Sequence, residues 1–554
     1  MSIPYFLNNP IPNFVAFTAG FCYAVFFLAR VAYRLYRWPL RTMPGPKLKT
    51  FLTGSSAKMS DMAPIETHEE WVRTYGPTFR YCSLLSTPML FTADTTALRH
   101  ILATSAVYRK SSFIRHHLGQ LVGEGLLFVE GPKHKRQRRV MNPAFGPIQV
   151  RKFTEMFVSK SNEMRDIWMD LCSRATRQDG RVPIDAFAWL NKATLDIISL
   201  AGFNYETDAL HAPGERPNML NEAVRVMFSF ELLNLVTLAQ LIIPLLGKIP
   251  TERVRETAKA KKLITQIGME LIAEKRAAVA ATSSSVSSNF VERKDIEGHD
   301  LLSLLIKSNM AADLPDDARL SDADILAQVP TFLVAGHETT STAVAWTLFA
   351  LSCDRGVQRK LREELRAMPT DTPSESELSS LTYLDHVVRE VLRLHAPVYD
   401  SERVAVQDDI VPLRTPYTDT SGQIHYEIRV TKGDVINIPI QVLNRTVDLW
   451  GEDAREFRPD RWERLPETVK EIPNVFSNLL TFMAGSHACI GYRFSILEMK
   501  ALTFAIIRHF EVELAVSPLE ITRRTMIVGR PALATNINAG SQLPLLIRPV
   551  RSQV

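Results

Sequence analysis

Cysteine is scarce in this chain. Its 554 residues hold five, Cys22, Cys82, Cys172, Cys353 and Cys489, an odd and scattered set without C-x-x-C spacing. That excludes a disulfide framework and a zinc module, and it suits a reducing, cytosol-facing compartment. Excess charge is small too: 65 Lys and Arg against 60 Asp and Glu leave +5, which gives no electrostatic reason to expect a nucleic-acid partner. No glycine-rich nucleotide fingerprint, internal repeat or long linker is present. The first twelve residues carry no charge, so the basic start of a cleaved signal peptide is missing.

What is present begins with an apolar run. Residues 13–29 are free of charge and Val31, Ala32 and Tyr33 extend them if Arg30 snorkels, a length that approaches one bilayer crossing. Arg30, Arg34, Arg37 and Arg41 all follow it. The positive-inside rule then puts residues 1–12 in the lumen as a tail, 13–33 across the membrane as a single anchor, and the remaining chain in the cytosol. Residues 34–50 form a basic segment and proline-rich hinge at Met43-Pro44-Gly45-Pro46, which cannot be helical. Residues 51–554 read as one catalytic unit, mostly helix with short strands such as Met89-Leu-Phe and Ile428-Arg-Val, the latter followed by a turn at Lys432-Gly433-Asp434.

The chemistry points to one sulfur. In Phe482-Met-Ala-Gly485-Ser-His487-Ala-Cys489-Ile-Gly491, Cys489 stands just ahead of a helical pattern from Tyr492 to Lys500. A cysteine there faces unpaired helix N–H groups and the positive end of the dipole, which favour a metal-binding thiolate. Gly485 and Gly491 let the backbone turn tightly and approach a flat ligand, and Phe482 walls off water. The competing reading is a buried structural cysteine.

This loop resembles the haem-binding loop of the cytochrome P-450 monooxygenases, especially membrane-anchored fungal members, in which the cysteine is the axial iron ligand. The resemblance implies a mainly α fold with small β-sheets, haem b on Cys489, and a catalytic domain held to the endoplasmic reticulum. Electrons would come from NADPH through a separate reductase, with cytochrome b5 as a further partner. It also orders the rest of the chain. In the basic run 131–139, His134 and Arg138 hold the positions that meet haem propionates in the family, His134 replacing a tryptophan. His487 stands where the family usually has arginine, and Arg403 is a further propionate partner. Lys133, Lys135, Arg136 and Arg139 would point outward to an acidic electron donor, against the plainer reading of a solvated face.

Ser321-Asp-Ala-Asp324 reads as a capped helix start, followed by a long helix that Pro330 kinks. Its segment Ala335-Gly336-His337-Glu338-Thr339-Thr340 matches the family's oxygen-activation motif, where Glu338 and Thr339 form an acid–alcohol pair for proton delivery and the local sequence loosens the helix. Glu390 and Arg393, one turn apart among apolar neighbours, resemble the family's buried pair, with Arg461 of Phe457-Arg-Pro-Asp-Arg461-Trp462 as third member, all structural. Residues 396–399 and 526–529 would wall the pocket. The apolar stretch 227–246 is either a core helix or an access channel resting on lipid, and 277–289 reads as a helix fraying into a loop.

An apolar pocket implies a lipophilic substrate. The resemblance to fungal members favours terpenoid hydroxylation in secondary metabolism, with fatty-acid or xenobiotic oxidation as alternatives. Two other classes remain: a haem-thiolate isomerase or dehydratase, which often lacks the acid–alcohol pair, and a non-catalytic haem carrier or sensor.

Overall fold

Seven short polar side chains set where helices begin. Asp94, Ser111, Asp185, Asp300, Ser321, Asp354 and Ser374 each sit in extended backbone and accept a hydrogen bond from an N–H of the first turn that follows. Each satisfies a donor that the helix itself cannot. At Ser321 and Ser374 the third helical residue, Asp324 or Glu377, bonds back and completes a capping box.

The computed structural model describes residues 29–56, 65–175, 179–211, 251–285, 300–311, 314–524 and 527–550, with Thr18, Cys22, Val25, Phe26, Leu220, Ala223 and Val226. It is mainly helical with four small sheets among the described residues. Helices and strands are numbered along the chain. By contact it divides into two compact units, Met1–Arg109 with Glu402–Pro439, and Lys110–Ser401 with Ile440–Val554.

The first unit carries a five-stranded sheet in the order β1 (Thr78–Cys82), β2 (Pro88–Thr92), β8 (Val435–Ile438), β5 (Ser401–Ala405), β3 (Tyr108–Arg109). β2 and β8 run parallel, with Leu90 opposite Ile436. Helix α1 (Ile65–Tyr75) covers it with Trp71 edge-on to Phe79 and His68 edge-on to Phe91, geometry that suits aromatic quadrupoles. Helix α2 (Thr95–Ala103) packs on the ribbon β6 (Asp409–Thr418) and β7 (Ile424–Val430). The strands expected at 89–91 and 428–430 are there, and Gly433, at φ 97°, turns the chain after β7. Residues 29–37 are helical. Among the described residues no helix is long and apolar enough to cross a membrane, and most of the expected anchor and all of the tail 1–12 lie outside them.

The second unit is built on helices α3 (Gly131–Met141), α4 (Thr154–Ser173), α5 (Ala186–Phe203), α6 (Glu252–Ser285), α7 (Asp322–Leu326), α8 (Gln328–Cys353), α9 (Thr382–Leu394) and α10 (Tyr492–His509). α8 is buried on nearly every side, from Val329 and Phe332 to Leu348 and Leu351, so it runs through the centre. α5 and α10 both pack on it. Two small sheets complete the unit: β4 (Val182–Asp185), β12 (Pro544–Pro549) and β9 (Phe510–Leu514) in the order β4-β12-β9, and the hairpin β10 (Ile521–Arg524) with β11 (Arg530–Leu533).

The expected single helix kinked at Pro330 is instead two. Helix α7 stops at Ala327, and Pro330 falls in the first turn of α8, where its missing N–H would have had no helical acceptor. The stretch 227–246 and the end of 277–289 lie outside the described residues, α6 being described as far as Ser285.

Candidate active site

Cys489 sits at the mouth of α10. Its N–H bonds the Phe482 carbonyl at 2.8 Å, closing the loop into a compact turn. Gly485 there has φ 71°, a conformation that costs a side chain strain. Gly491 is different: its φ of −92° is open to any residue, and an added Cβ would meet only the Phe145 ring, at 3.8 Å. The freedom expected of both glycines is used at one.

The sulfur is enclosed by protein at depth and still keeps accessible surface. Phe482, at the start of the loop, is buried, 8% exposed. Burial pushes the Cys489 thiol up, while the Gly491 N–H and the Arg138 charge pull it down without reversing the rise. The helix start and Arg138 alone therefore do not make a thiolate; a bound cation's own charge would complete the task. A lone sulfur offered at depth, a donor aimed at it and a cation beside it form a cradle that fits a haem iron.

Beside the loop, α3 presents His134 and Arg138 on one face, as their spacing predicts. His134 is buried, and its ring lies 4.0 Å from that of His487, nearly parallel. His487 Nε2 is 3.1 Å from Glu130 Oε2, and Lys110 Nζ is 3.0 Å from the other carboxylate oxygen. Burial works against a charge on Glu130, but His487 and Lys110 outweigh it and hold it at about 2. Burial, His487 and the neighbouring cations hold His134 at about 3, hence neutral. Arg138 donates to the Ala488 carbonyl and, at 3.1 Å, to Asn142 Oδ1. Arg403 lies in the first unit, on β5, where it is buried and bonds the Glu402 carbonyl at 2.8 Å.

The basic run divides differently from its expected reading. Lys133 reaches Glu124 at 2.7 Å and Asp324 at 3.2 Å, and Arg136 reaches Asp324 at 3.5 Å. They tie α3 to α7. Lys135 and Arg139 are exposed.

On α8 the segment 335–340 stays helical throughout, so the expected loosening does not occur. Gly336 lies against α5; a Cβ on it would stand 2.6 Å from Ile198 Cδ1, so glycine is what allows the close approach. The Thr339 hydroxyl donates to the Ala335 carbonyl at 2.6 Å. Glu338 is buried and bonds the Arg530 guanidinium through one oxygen. Burial raises it, Arg530 lowers it, and it settles at about 7. The Thr340 hydroxyl lies 3.2 Å from that of Ser495, in the first turn of α10. The motif helix and the helix that follows the cysteine loop are thus linked side chain to side chain.

Glu390 organises the core next to this site. Arg393 donates to its two oxygens at 2.8 and 2.9 Å, Arg461 at 2.8 Å, the Trp462 indole at 3.0 Å and the Arg458 N–H at 3.0 Å. Glu390 and Arg393 are fully buried. The expected triad is assembled, with Trp462 as a fourth member that only adjacency to Arg461 could have suggested. Glu130 and Arg530 had no signal in the sequence, since neither stands in a motif. Of the two expected pocket walls, Ala396, Pro397 and Tyr399 are buried, and Val528 is buried while Ile527 is exposed.

A family model described as Cytochrome P450 matches residues 43–537. The chain is 50% identical to cytochrome P450 monooxygenase 205 of Postia placenta, over 92% of this chain and 93% of that protein. It is 47% identical to cytochrome P450 monooxygenase 128 of the same fungus, over 95% and 96%. Cytochrome P450 monooxygenase claP of Ampulloclitocybe clavipes is 34% identical over 92% and 94%. With a cysteine just ahead of α10 and the motif helix bonded to that same helix, these matches make the chain a member of the cytochrome P450 family, oxidoreductases that use haem with a cysteine thiolate ligand and electrons from a redox partner, typically an NADPH-dependent reductase.

Proposed function

We propose that the protein hydroxylates a lipophilic small molecule, a terpenoid of fungal secondary metabolism, with Cys489 as the iron ligand and Glu338 and Thr339 as the proton-handling pair. The observation that carries this is the bond between Thr340 and Ser495, which fixes the acid–alcohol segment to the helix that Cys489 opens. His134, Arg138 and His487 would serve the haem carboxylates. The haem, when bound, supplies the oxidising power that splits O2 and places one oxygen atom in a C–H bond.

The chain's own residues supply the rest. Phe482 keeps water from the sulfur. Glu338, at about 7, populates both protonation states near neutrality, as a proton-passing acid requires. Thr339 offers the next hydroxyl along the helix. The acid–alcohol pair favours oxygen consumption over an isomerase or dehydratase. Residues 13–33 would anchor the protein in the endoplasmic reticulum with the catalytic part in the cytosol, and Lys135 and Arg139 would face the reductase, with cytochrome b5 as a second donor.

A spectral titration of the haem-loaded protein against terpenoids, fatty acids and aromatics tests the substrate class. Saturable high-spin shifts confined to terpenoids are expected. Tight shifts with fatty acids and none with terpenoids would overturn the assignment.

A further inference from the structure

Both members of the acid–alcohol pair are held by other groups in this structure. The Thr339 hydroxyl donates a hydrogen bond to the Ala335 carbonyl, at 2.6 Å. Glu338 is held by Arg530, whose Nε and Nη2 both converge on the same carboxylate oxygen. The acid side chain is 7% exposed and the guanidinium 12%, so the pair is shielded from water and its strength is not screened as a surface pair would be.

The place from which Arg530 reaches is fixed. It opens β11 directly after Gly529, whose N–H bonds the Pro397 carbonyl at 2.8 Å and whose carbonyl accepts the Trp346 indole N–H at 2.8 Å. Arg523, on the paired strand, lies over the Trp346 ring at 5.1 Å and bonds the Ala396 carbonyl at 3.2 Å. The helix is equally constrained two residues away, where Gly336 packs against Ile198. With both backbones pinned, the pair can open only by rotation of side chains.

The surroundings of Glu338 leave Arg530 as the charge that governs it. His337, its neighbour on α8, is buried and held neutral at about 3 by burial and by Arg530 itself. From α5 comes Asn191, which accepts the Ser341 hydroxyl at 3.0 Å. From α10 comes Glu498 beside Thr340, fully buried and pushed by burial well above the usual carboxylate range, hence uncharged.

We propose that Arg530 is a positioning residue that latches Glu338 in the resting enzyme, and that rotation of the acid away from this arginine is the step that releases it to pass a proton. The proposal rests on the reading of Glu338 as the proton-passing acid. One proton moves per cycle: the freed carboxylate takes it from solvent, gives it inward, and re-forms the ion pair as a carboxylate. No electron and no further reactant is involved. Without Arg530 the burial of Glu338 would be unopposed, and its carboxyl would titrate higher.

The test uses the full-length, haem-loaded protein as wild type, Arg530→Met, Arg530→Lys and Glu338→Gln, each first checked for an intact reduced CO spectrum. Infrared titration follows the carboxyl band that Glu338→Gln removes. With reductase and NADPH, the pH dependence of hydrogen peroxide released per NADPH is followed in parallel. The expected result is a band titrating near 7 in wild type, at least one pH unit higher in Arg530→Met and between the two in Arg530→Lys, with the peroxide profile moving by the same amount. An unshifted band and profile in a well-folded Arg530→Met overturns the latch. If Glu338→Gln leaves the peroxide profile unchanged, the reading of Glu338 fails instead, and the two failures are told apart. Should Arg530→Met not fold, Arg530→Lys decides: a profile identical to wild type in both readouts overturns the proposal.

Discussion

His134 and His487 stack face to face, with ring centroids 4.0 Å apart and planes 18° from parallel. Two imidazoles so close cannot both carry charge cheaply. His134 is held neutral, while His487 leans on Glu130 at 3.1 Å, a carboxylate that Lys110 also contacts. The tryptophan and arginine usual in the family are thus replaced here by two histidines with an acid behind them.

Glu130 gives the first prediction. Its folded-state value of about 2 lies below the ordinary 4.5, so it contributes stability that is present above about 4.5 and lost as pH falls through about 2. Glu130→Gln should cost about 1–3 kcal/mol at neutral pH, the usual range for losing hydrogen bonds to a charged group. In denaturant melts the gap from wild type should narrow steadily between pH 4.5 and 2. A gap independent of pH would mean that the His487 and Lys110 contacts carry no linkage.

His395 makes the opposite kind of group. It lies stacked on Trp346 at 4.9 Å and 5°, and burial together with Arg523, Arg445 and Arg393 keeps it well below its usual 6.5. A histidine held neutral in the folded state stabilises above the unfolded value and loses that contribution as pH falls below about 6.5, because the unfolded chain takes up the proton. His395→Phe keeps a ring against Trp346 and removes the titration. Its stability should fall less steeply below pH 6.5, by about 1.4 kcal/mol per pH unit. An acid limb as steep as that of wild type would contradict the assignment.

Glu390→Ala should be far more damaging than an ordinary core truncation. It leaves Arg393 and Arg461 without their shared carboxylate and the Trp462 indole without an acceptor. Breaking a buried pair on one side costs about 3–5 kcal/mol. Glu390→Gln, which keeps the shape and one acceptor oxygen, should lose less. Equal midpoints for the two variants in chemical denaturation would contradict this, showing that the retained shape and acceptor oxygen contribute nothing and that loss of the charge alone sets the cost.

The order of these elements was legible in the sequence because the chemistry is local. Cys489 and its glycines, Glu338 with Thr339, and Glu390 with Arg393 each sit within one turn or one loop, and the structure keeps those groupings. Helix starts were legible for the same reason, as the capping box at Ser321 shows. What could not be read were partners far along the chain. Arg530 meets Glu338 across 192 residues and Arg461 meets Glu390 across 71; the second was anticipated only through the family resemblance, and the first not at all. The pairing of Lys133 and Arg136 with Asp324 was not legible because a dense basic run does not reveal that one acid will fold against it. Pro330 was read as a kink because sequence does not show that α7 has already ended at Ala327.

The central claim is that Cys489 is the iron ligand, and the reduced CO difference spectrum tests it most directly. Wild type and the four variants Cys22→Ser, Cys82→Ser, Cys172→Ser and Cys353→Ser should each show the long-wavelength Soret band of thiolate ligation, and Cys489→Ser should lose it while remaining folded. Persistence of that band in Cys489→Ser, or its loss in one of the other four folded variants, would contradict the account.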